Sequence, residues 1–156
     1  MIEIVRAEER HISDIGKLWL EFMRFSQDID PIFEPHDGAV PVFEEKYLLP
    51  AMKSENSLVL VVLDGEKVVA YSYSLIIDSS DLEKRKKYGY VHDVFVTAGY
   101  RRRGIGEKMY AEILKWFHSK DVDRVELQVI VKNQMAYSFW RKHGYLDFQN
   151  TLYRQI

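Results

Sequence analysis

The chain contains no cysteine, which excludes disulfides, thiolate metal sites and covalent catalysis through a sulfur nucleophile. It is short of net charge as well. Twenty-two basic residues against 24 acidic ones leave a formal −2, so no whole-molecule field draws in nucleic acid or an anionic membrane. Any anion must be caught locally. The basic run "KRKK" at 84–87 is the one hint of a nucleic-acid surface, and it conflicts with that balance. No apolar run approaches the roughly 18 residues of a membrane span. The opening "MIEIVRAEERH" is charged where a signal peptide would be apolar, so a cytoplasmic location is the expectation, with no membrane partner. The five histidines fall at no ligand spacing, and no metal site is expected.

What is present reads as one domain over residues 1–156, long enough to bury a core without staples. "MIEIVRA" alternates as a strand does, and Ile12, Ile15, Leu18, Trp19, Phe22 and Phe25 then recur at helical spacing. Three of the four prolines lie between residues 31 and 41, in "QDIDPIFEPHDGAVP", which marks a loop. In "VFEEKYLLPAMKS", Pro50 must end a helix, kink it or open a second one at its first turn. Two strand-like segments flank Asp64-Gly65, a hairpin signal. "YGYVHDVFVT" is β-rich, Ile105, Met109, Ile113 and Trp116 share a helix face, and "VDRVELQVIV" reads as a strand. "NQMAYSFWRKHG" runs from an Asn cap to a Gly stop, and "YLDFQNTLYRQI" predicts one or two terminal strands. This order combines an antiparallel hairpin with a later β-α-β alternation, an α/β (α+β) class with a mixed sheet.

The chemistry concentrates in "VHDVFVTAGYRRRGIG", at a strand-to-helix junction. Helix starts leave unpartnered N–H groups and a partial positive charge. The cap position falls near Arg103, which has no acceptor, and Arg101 and Arg102 add two more cations there. Taken alone that is unfavourable, and a bound anion reverses the sign of each contribution. Gly104 and Gly106 leave room for an anion to reach the amides. The loop is neither a Walker P-loop nor a dinucleotide fingerprint. Gly99 and Gly104 have the first spacing, but Ile105-Gly106 replaces Lys-[ST], and position 109, where the second needs glycine, is Met.

What remains is [RQ]-x-x-G-x-[GA], carried by Arg101, Arg102, Arg103, Gly104, Ile105 and Gly106. With it, and with "NQMAYSFWRKHGY" similar to N-x-x-A-x-x-F-Y-x-x-x-G-[FY], the chain resembles the GCN5-related N-acetyltransferase (GNAT) family, its polyamine and small-amine branch in particular. The resemblance covers essentially the whole chain. It implies a mostly antiparallel central sheet with helices on both faces, and a cofactor cleft at a parallel strand pair. It implies acetyl-CoA as cofactor, with the arginine loop around its pyrophosphate. Backbone groups of Phe95, Val96 and Thr97 and the capping Asn133 would then meet the pantetheine arm. A homodimer is implied by the resemblance alone.

The expected reaction is acetyl transfer to a primary amine, either a small amine or polyamine or a protein amine, by direct attack in a ternary complex. The alternative is a non-catalytic acyl-CoA-binding regulatory module. An amine arrives protonated, with a pKa near ~10, so something must take a proton. His92 suits that role, its ordinary pKa near ~6.5 leaving a neutral form at physiological pH. Relatives of the resembled branch often have glutamate there. Asp93 is the second candidate, but neighbours in a strand face opposite ways, so only one of the pair faces the acceptor unless a bulge intervenes. Trp140 stands where the family has a tyrosine to protonate the leaving thiolate; indole is a poor proton donor, though it can donate a hydrogen bond. Asp28, Asp30, Glu34, Asp37, Glu44 and Glu45 would favour a cationic acceptor if they face the cleft.

Overall fold

The computed structural model describes all of residues 1–156. Five strands form one sheet in sequence order: β1 (Ile2–Arg6), β2 (Ser57–Asp64), β3 (Lys67–Asp78), β4 (Lys87–Val96) and β5 (Val125–Leu127). The first three pairings are antiparallel, and β4–β5 is parallel. The parallel pair follows from its connection, since a strand can re-enter a sheet in the same direction only by a crossover. Here the crossover is a helix, α4 (Ile105–Ser119).

Helices cover both faces, which is why β2 buries five residues in succession, Leu58 to Val62, instead of alternating. On one face lies α1 (Ile12–Ile29), followed by α2 (Ala39–Phe43), a π-helical turn (Glu44–Leu48) and α3 (Leu49–Lys53). Ile15, Leu18, Phe43 and Leu48 from these helices pack on Val59, Val61, Tyr71, Tyr73 and Phe95. Pro50 sits in the first turn of α3, where a missing N–H leaves no bond unmade. On the other face α4 lays Ile113, Trp116 and Phe117 on Leu58, Leu60 and Val91, and Ile105 and Met109 on Val62, Val69 and Ala70. No helix is long and apolar enough to cross a membrane.

The hairpin forms one residue later than its sequence signal. Asp64 pairs with Lys67, so the turn is Gly65-Glu66, with Gly65 at φ 62°. Two strand expectations need correction. The segment "VDRVELQVIV" yields only Val125–Leu127 as strand, and "YLDFQNTLYRQI" forms none. After α5 (Gln134–Lys142), the last backbone hydrogen bond runs from Tyr145 N–H to the Trp140 carbonyl. Alternation is only half of what a strand needs; the other half is a neighbouring edge to pair with. With β5 three residues long, that edge offers little.

Candidate functional site

The site is built on β4, and its defining feature is an irregularity. Tyr73 pairs with Asp93, yet Ser74 pairs with Val91, so His92 is an extra residue with no partner on β3. Such a β-bulge breaks the in-out alternation. It turns His92 and Asp93 to the same face, the one covered by α1. Asp93 is 6% exposed, and His92 Nδ1 lies 3.0 Å from Asp93 Oδ1. The other carboxylate oxygen accepts a 2.9 Å hydrogen bond from the Tyr71 hydroxyl. A carboxylate can only accept, so the imidazole proton is assigned to Nδ1. Nε2 is left with its lone pair, on a side chain 41% exposed.

The electrostatics follow. The hydrogen bond that His92 donates to Asp93 raises the His92 pKa above its usual value; burial opposes this and the Asp93 charge adds to it. Burial first, and then the neighbouring Asp93 charge, push the Tyr71 hydroxyl well above the ordinary phenol value. Tyr71 therefore stays protonated and holds Asp93 from behind. Three further rings surround the imidazole: Tyr73 at 5.0 Å, Tyr90 at 6.1 Å and Tyr47 at 6.5 Å between centroids. None of these tyrosines was singled out by the motifs. The alternation "YSYS" at 71–74 was the available signal for two of them, because residues two apart share a strand face.

Past Val91 the parallel partner is gone, since β5 pairs only with Gly89, Tyr90 and Val91. Thr97 N–H donates to Val69 on β3, and by the two-residue alternation of an antiparallel ladder Phe95 also turns its backbone groups to β3. Val94 and Val96 turn theirs to the open edge. Of Phe95, Val96 and Thr97, then, Val96 presents its N–H there, while its carbonyl accepts a 2.8 Å hydrogen bond from Arg101 Nε. The Thr97 hydroxyl donates to Glu21 on α1 at 2.9 Å, fixing the end of the strand against that helix.

The loop after β4 carries a run of unpartnered donors. Tyr100 and Arg101 N–H are used within the turn, and the first amide of α4 with a backbone partner is Lys108, bonded to the Gly104 carbonyl. Between them the N–H groups of Arg102, Arg103, Gly104, Ile105, Gly106 and Glu107 meet no acceptor. The cap is Gly104, at φ 74°, not Arg103 as the sequence suggests, and Arg102 is also left-handed, at φ 63°. Successive amides in such a conformation form a concavity suited to an anion. The arginines divide their work. Arg101 is laid over Phe25 and Phe95 at 5.0 and 5.3 Å, Arg103 over Tyr100 at 4.8 Å, and Arg102 is exposed.

Beside this loop lies α5. The Asn133 side chain accepts from Ala136 N–H at 3.1 Å and caps the helix. A Cβ on Gly106 would stand 3.4 Å from the Phe139 ring, so the small residue lets the start of α4 approach the C-terminal half of α5. Lys142 of α5 and Glu107 of α4 form a 2.6 Å ion pair there. Trp140 is packed among Tyr110, Phe139 and Tyr145 at 5.4, 4.9 and 5.3 Å, and against the cluster under α4. The structure therefore separates Trp140 from His92, which stands over the opposite face of the sheet.

Two of the acidic residues after α1 have partners of their own. Asp30 accepts from Ile32 N–H and caps its own turn, and Glu44 lies against Gly16 of α1.

Residues 19–145 match the acetyltransferase (GNAT) family. Among solved structures, a mutant of the BH1408 protein from Bacillus halodurans superposes with TM-score 0.84 at 24% identity over 99% of both chains. A predicted acetyltransferase from Clostridium acetobutylicum, solved with acetyl-CoA, gives 0.78 at 16% identity over 99% of this chain and 96% of that one. Glucosamine-6-phosphate N-acetyltransferase from Arabidopsis thaliana gives 0.68 at 18% identity over 99% and 98%. At these identities the likeness is one of fold. The sequence has no significant match among curated proteins.

Proposed function

We propose, because the chain belongs to the acetyltransferase (GNAT) family, that it acetylates a primary amine with His92 as the base that takes the amine's proton. The family uses acetyl-CoA. The observation that carries the reading is one strand with a proton acceptor at its bulge and a run of free amides at its end. From His92 on β4 to Thr97, the residue after the strand, is five residues, roughly 17 Å at ~3.3 Å per residue, a span that suits a phosphopantetheine arm. The six amides of residues 102–107 would hold the pyrophosphate, with Arg102 free to add charge. The open edge at Val94 and Val96 would take the arm, next to the capped start of α5 at Asn133.

When bound, acetyl-CoA supplies the electrophilic carbonyl and a thiolate leaving group. The chain supplies the proton path. His92 Nε2 accepts a proton from the ammonium nitrogen and frees its lone pair; the C–N bond then forms as the C–S bond breaks, and the second proton that the nitrogen sheds goes to solvent. The charge created on the imidazole is met by Asp93 through Nδ1–H, and Tyr71 holds Asp93 in place. Thiolate with a pKa near ~8.5 can leave without a donor and take its proton from solvent, which suits a site whose Trp140 packs against the cluster under α4. The products are the amide and free CoA thiol.

The test is His92→Ala, assayed for thiol release over a panel of primary amines, with acetyl-CoA affinity measured by calorimetry. The variant should lose a hundredfold or more in kcat at pH 7, within the ~10²–10⁴ range of general-base catalysis, at unchanged affinity. Unchanged turnover removes His92 as the base. Tight acetyl-CoA binding with no turnover of any amine by the unaltered protein would instead make it an acyl-CoA-binding module.

A further inference from the structure

We propose that Tyr47, Tyr73 and Tyr90 form the acceptor subsite, and that Tyr47 selects amines carrying a second cationic group by offering that group the face of its ring. The inference rests on the acetyltransferase reading of the same site and adds the class of acceptor.

Three elements contribute one ring each. Tyr73 comes from β3, Tyr90 from β4 and Tyr47 from the π-helical turn, and all three stand within 6.5 Å of the His92 imidazole. Tyr73 is buried and backs His92, whereas Tyr47 is 48% exposed. An aromatic ring left open beside a functional imidazole is a surface available for contact. Its position is enforced. Phe43, one turn earlier, stacks on Trp19 at 4.8 Å and lies 6.2 Å from Tyr47. Gly16 accommodates the Glu44 carboxylate, which a Cβ there would displace. The π-helical geometry, uncommon and frequent at functional sites, offsets the chain so that Leu48 goes into the core and Tyr47 stands out.

The chemistry then selects the ligand. Asp93, the carboxylate beside His92, has one oxygen at His92 and the other at Tyr71, and Asp30 and Glu44 are engaged elsewhere. Tyr47 itself offers a cation the electron-rich face of its ring, which attracts ammonium groups and weakly hydrated ones best. That attraction cannot be aimed at the reacting nitrogen. A ring face stabilises the ammonium form and would hold back the proton that His92 must remove. The cation at Tyr47 is thus a second one, separated from the reacting amine by a short alkyl spacer.

The test compares two acceptors of one shape, an aminopropyl-trimethylammonium ion and its neutral isostere with tert-butyl in place of trimethylammonium. Wild-type protein should favour the cation about tenfold in kcat/KM, within the range of a partly desolvated cation–π contact. Tyr47→Phe should keep that preference and Tyr47→Leu should abolish it, both with acetyl-CoA affinity unchanged. A wild-type ratio near one, or a preference that survives Tyr47→Leu, overturns the proposal. If neither amine is acetylated, nor any in the wider panel, the acetyltransferase reading fails, and binding decides the subsite separately. Tetramethylammonium titrated into the acetyl-CoA-loaded protein should shift the His92 imidazole proton resonances in the wild type and not in Tyr47→Leu. No shift in the wild type overturns the subsite as well.

Discussion

Nδ1 of His92 and Oδ1 of Asp93 stand 3.0 Å apart although the two residues are neighbours in one strand. Regular pleating would send them to opposite faces, and the bulge at His92 is what lets them meet. Their contact fixes a tautomer as well as a position. Asp93→Asn keeps the shape but can donate to Nδ1, which favours the tautomer with its proton on Nε2 and removes the base. The expected result is a loss of about a hundredfold or more in kcat at pH 7, with acetyl-CoA affinity unchanged in calorimetry. Turnover within a few-fold of wild type would show that the pair does not set the proton path.

The same pair makes opposite predictions for rate and stability against pH. Nε2 accepts a proton only when His92 is neutral, and Asp93 raises its pKa above 6.5. The rate should therefore rise with pH through that raised value and then level. For stability the sign reverses. A histidine whose folded pKa is raised stabilises fully below its unfolded pKa, and that contribution is lost as pH rises through the folded value. The side chain is 41% exposed, so with solvent screening the loss stays below about 1 kcal/mol, a Tm decrease of no more than about 2–4 °C. Rate profiles and thermal scans between pH 5 and 8 check both, and in Asp93→Asn the two slopes should shrink together.

Local patterns were legible in the sequence and register was not. The spacing of Ile105, Met109, Ile113 and Trp116 announces a helix face, and all four are buried. Asn133 and Gly144 mark the ends of α5 as cap and as a left-handed stop at φ 86°. The bulge depends on counting β4 against β3, two segments whose alignment no single stretch contains. That is why His92 and Asp93 read as a pair facing opposite ways. Arg101 shows the complementary limit. Its place in the motif is plain, but its contact with Phe25 joins the loop to α1, an element 76 positions away in the chain. The alternating tail after Tyr145 has the composition of a strand and no edge to join, a fact that belongs to the sheet and not to the tail.

Gly89 is held small by packing, not by backbone conformation. A Cβ there would stand 2.5 Å from the Phe117 ring, and Phe117 is 1% exposed. The strand cannot retreat, since Gly89 pairs with Ile76 on one side and Val125 on the other. Gly89→Ala should cost about 1–3 kcal/mol of overpacking, a Tm decrease of roughly 2–12 °C at ~2–4 °C per kcal/mol. Adding Phe117→Leu should recover part of the loss relative to the sum of the single changes, read by denaturant unfolding. Strict additivity would place the strain elsewhere.

Backbone geometry, more than arginine charge, should carry the grip on acetyl-CoA. Gly104 sits at φ 74° in the middle of six amides that point at no protein acceptor. Alanine there must either strain, at about 1–2 kcal/mol, or let the loop relax and turn amides away from the anion. Gly104→Ala should weaken acetyl-CoA binding about tenfold in calorimetry. Arg101→Ala should weaken it for a related reason, by releasing the Val96 carbonyl and the contact with Phe25 and Phe95 that hold the loop. Arg102→Ala removes an exposed cation and leaves the backbone in place, so its effect should fade as salt is raised, whereas those of Gly104→Ala and Arg101→Ala should persist. If Gly104→Ala binds as wild type does while Arg102→Ala fails at every salt concentration, the grip belongs to the side chains, and the six amides serve no anion.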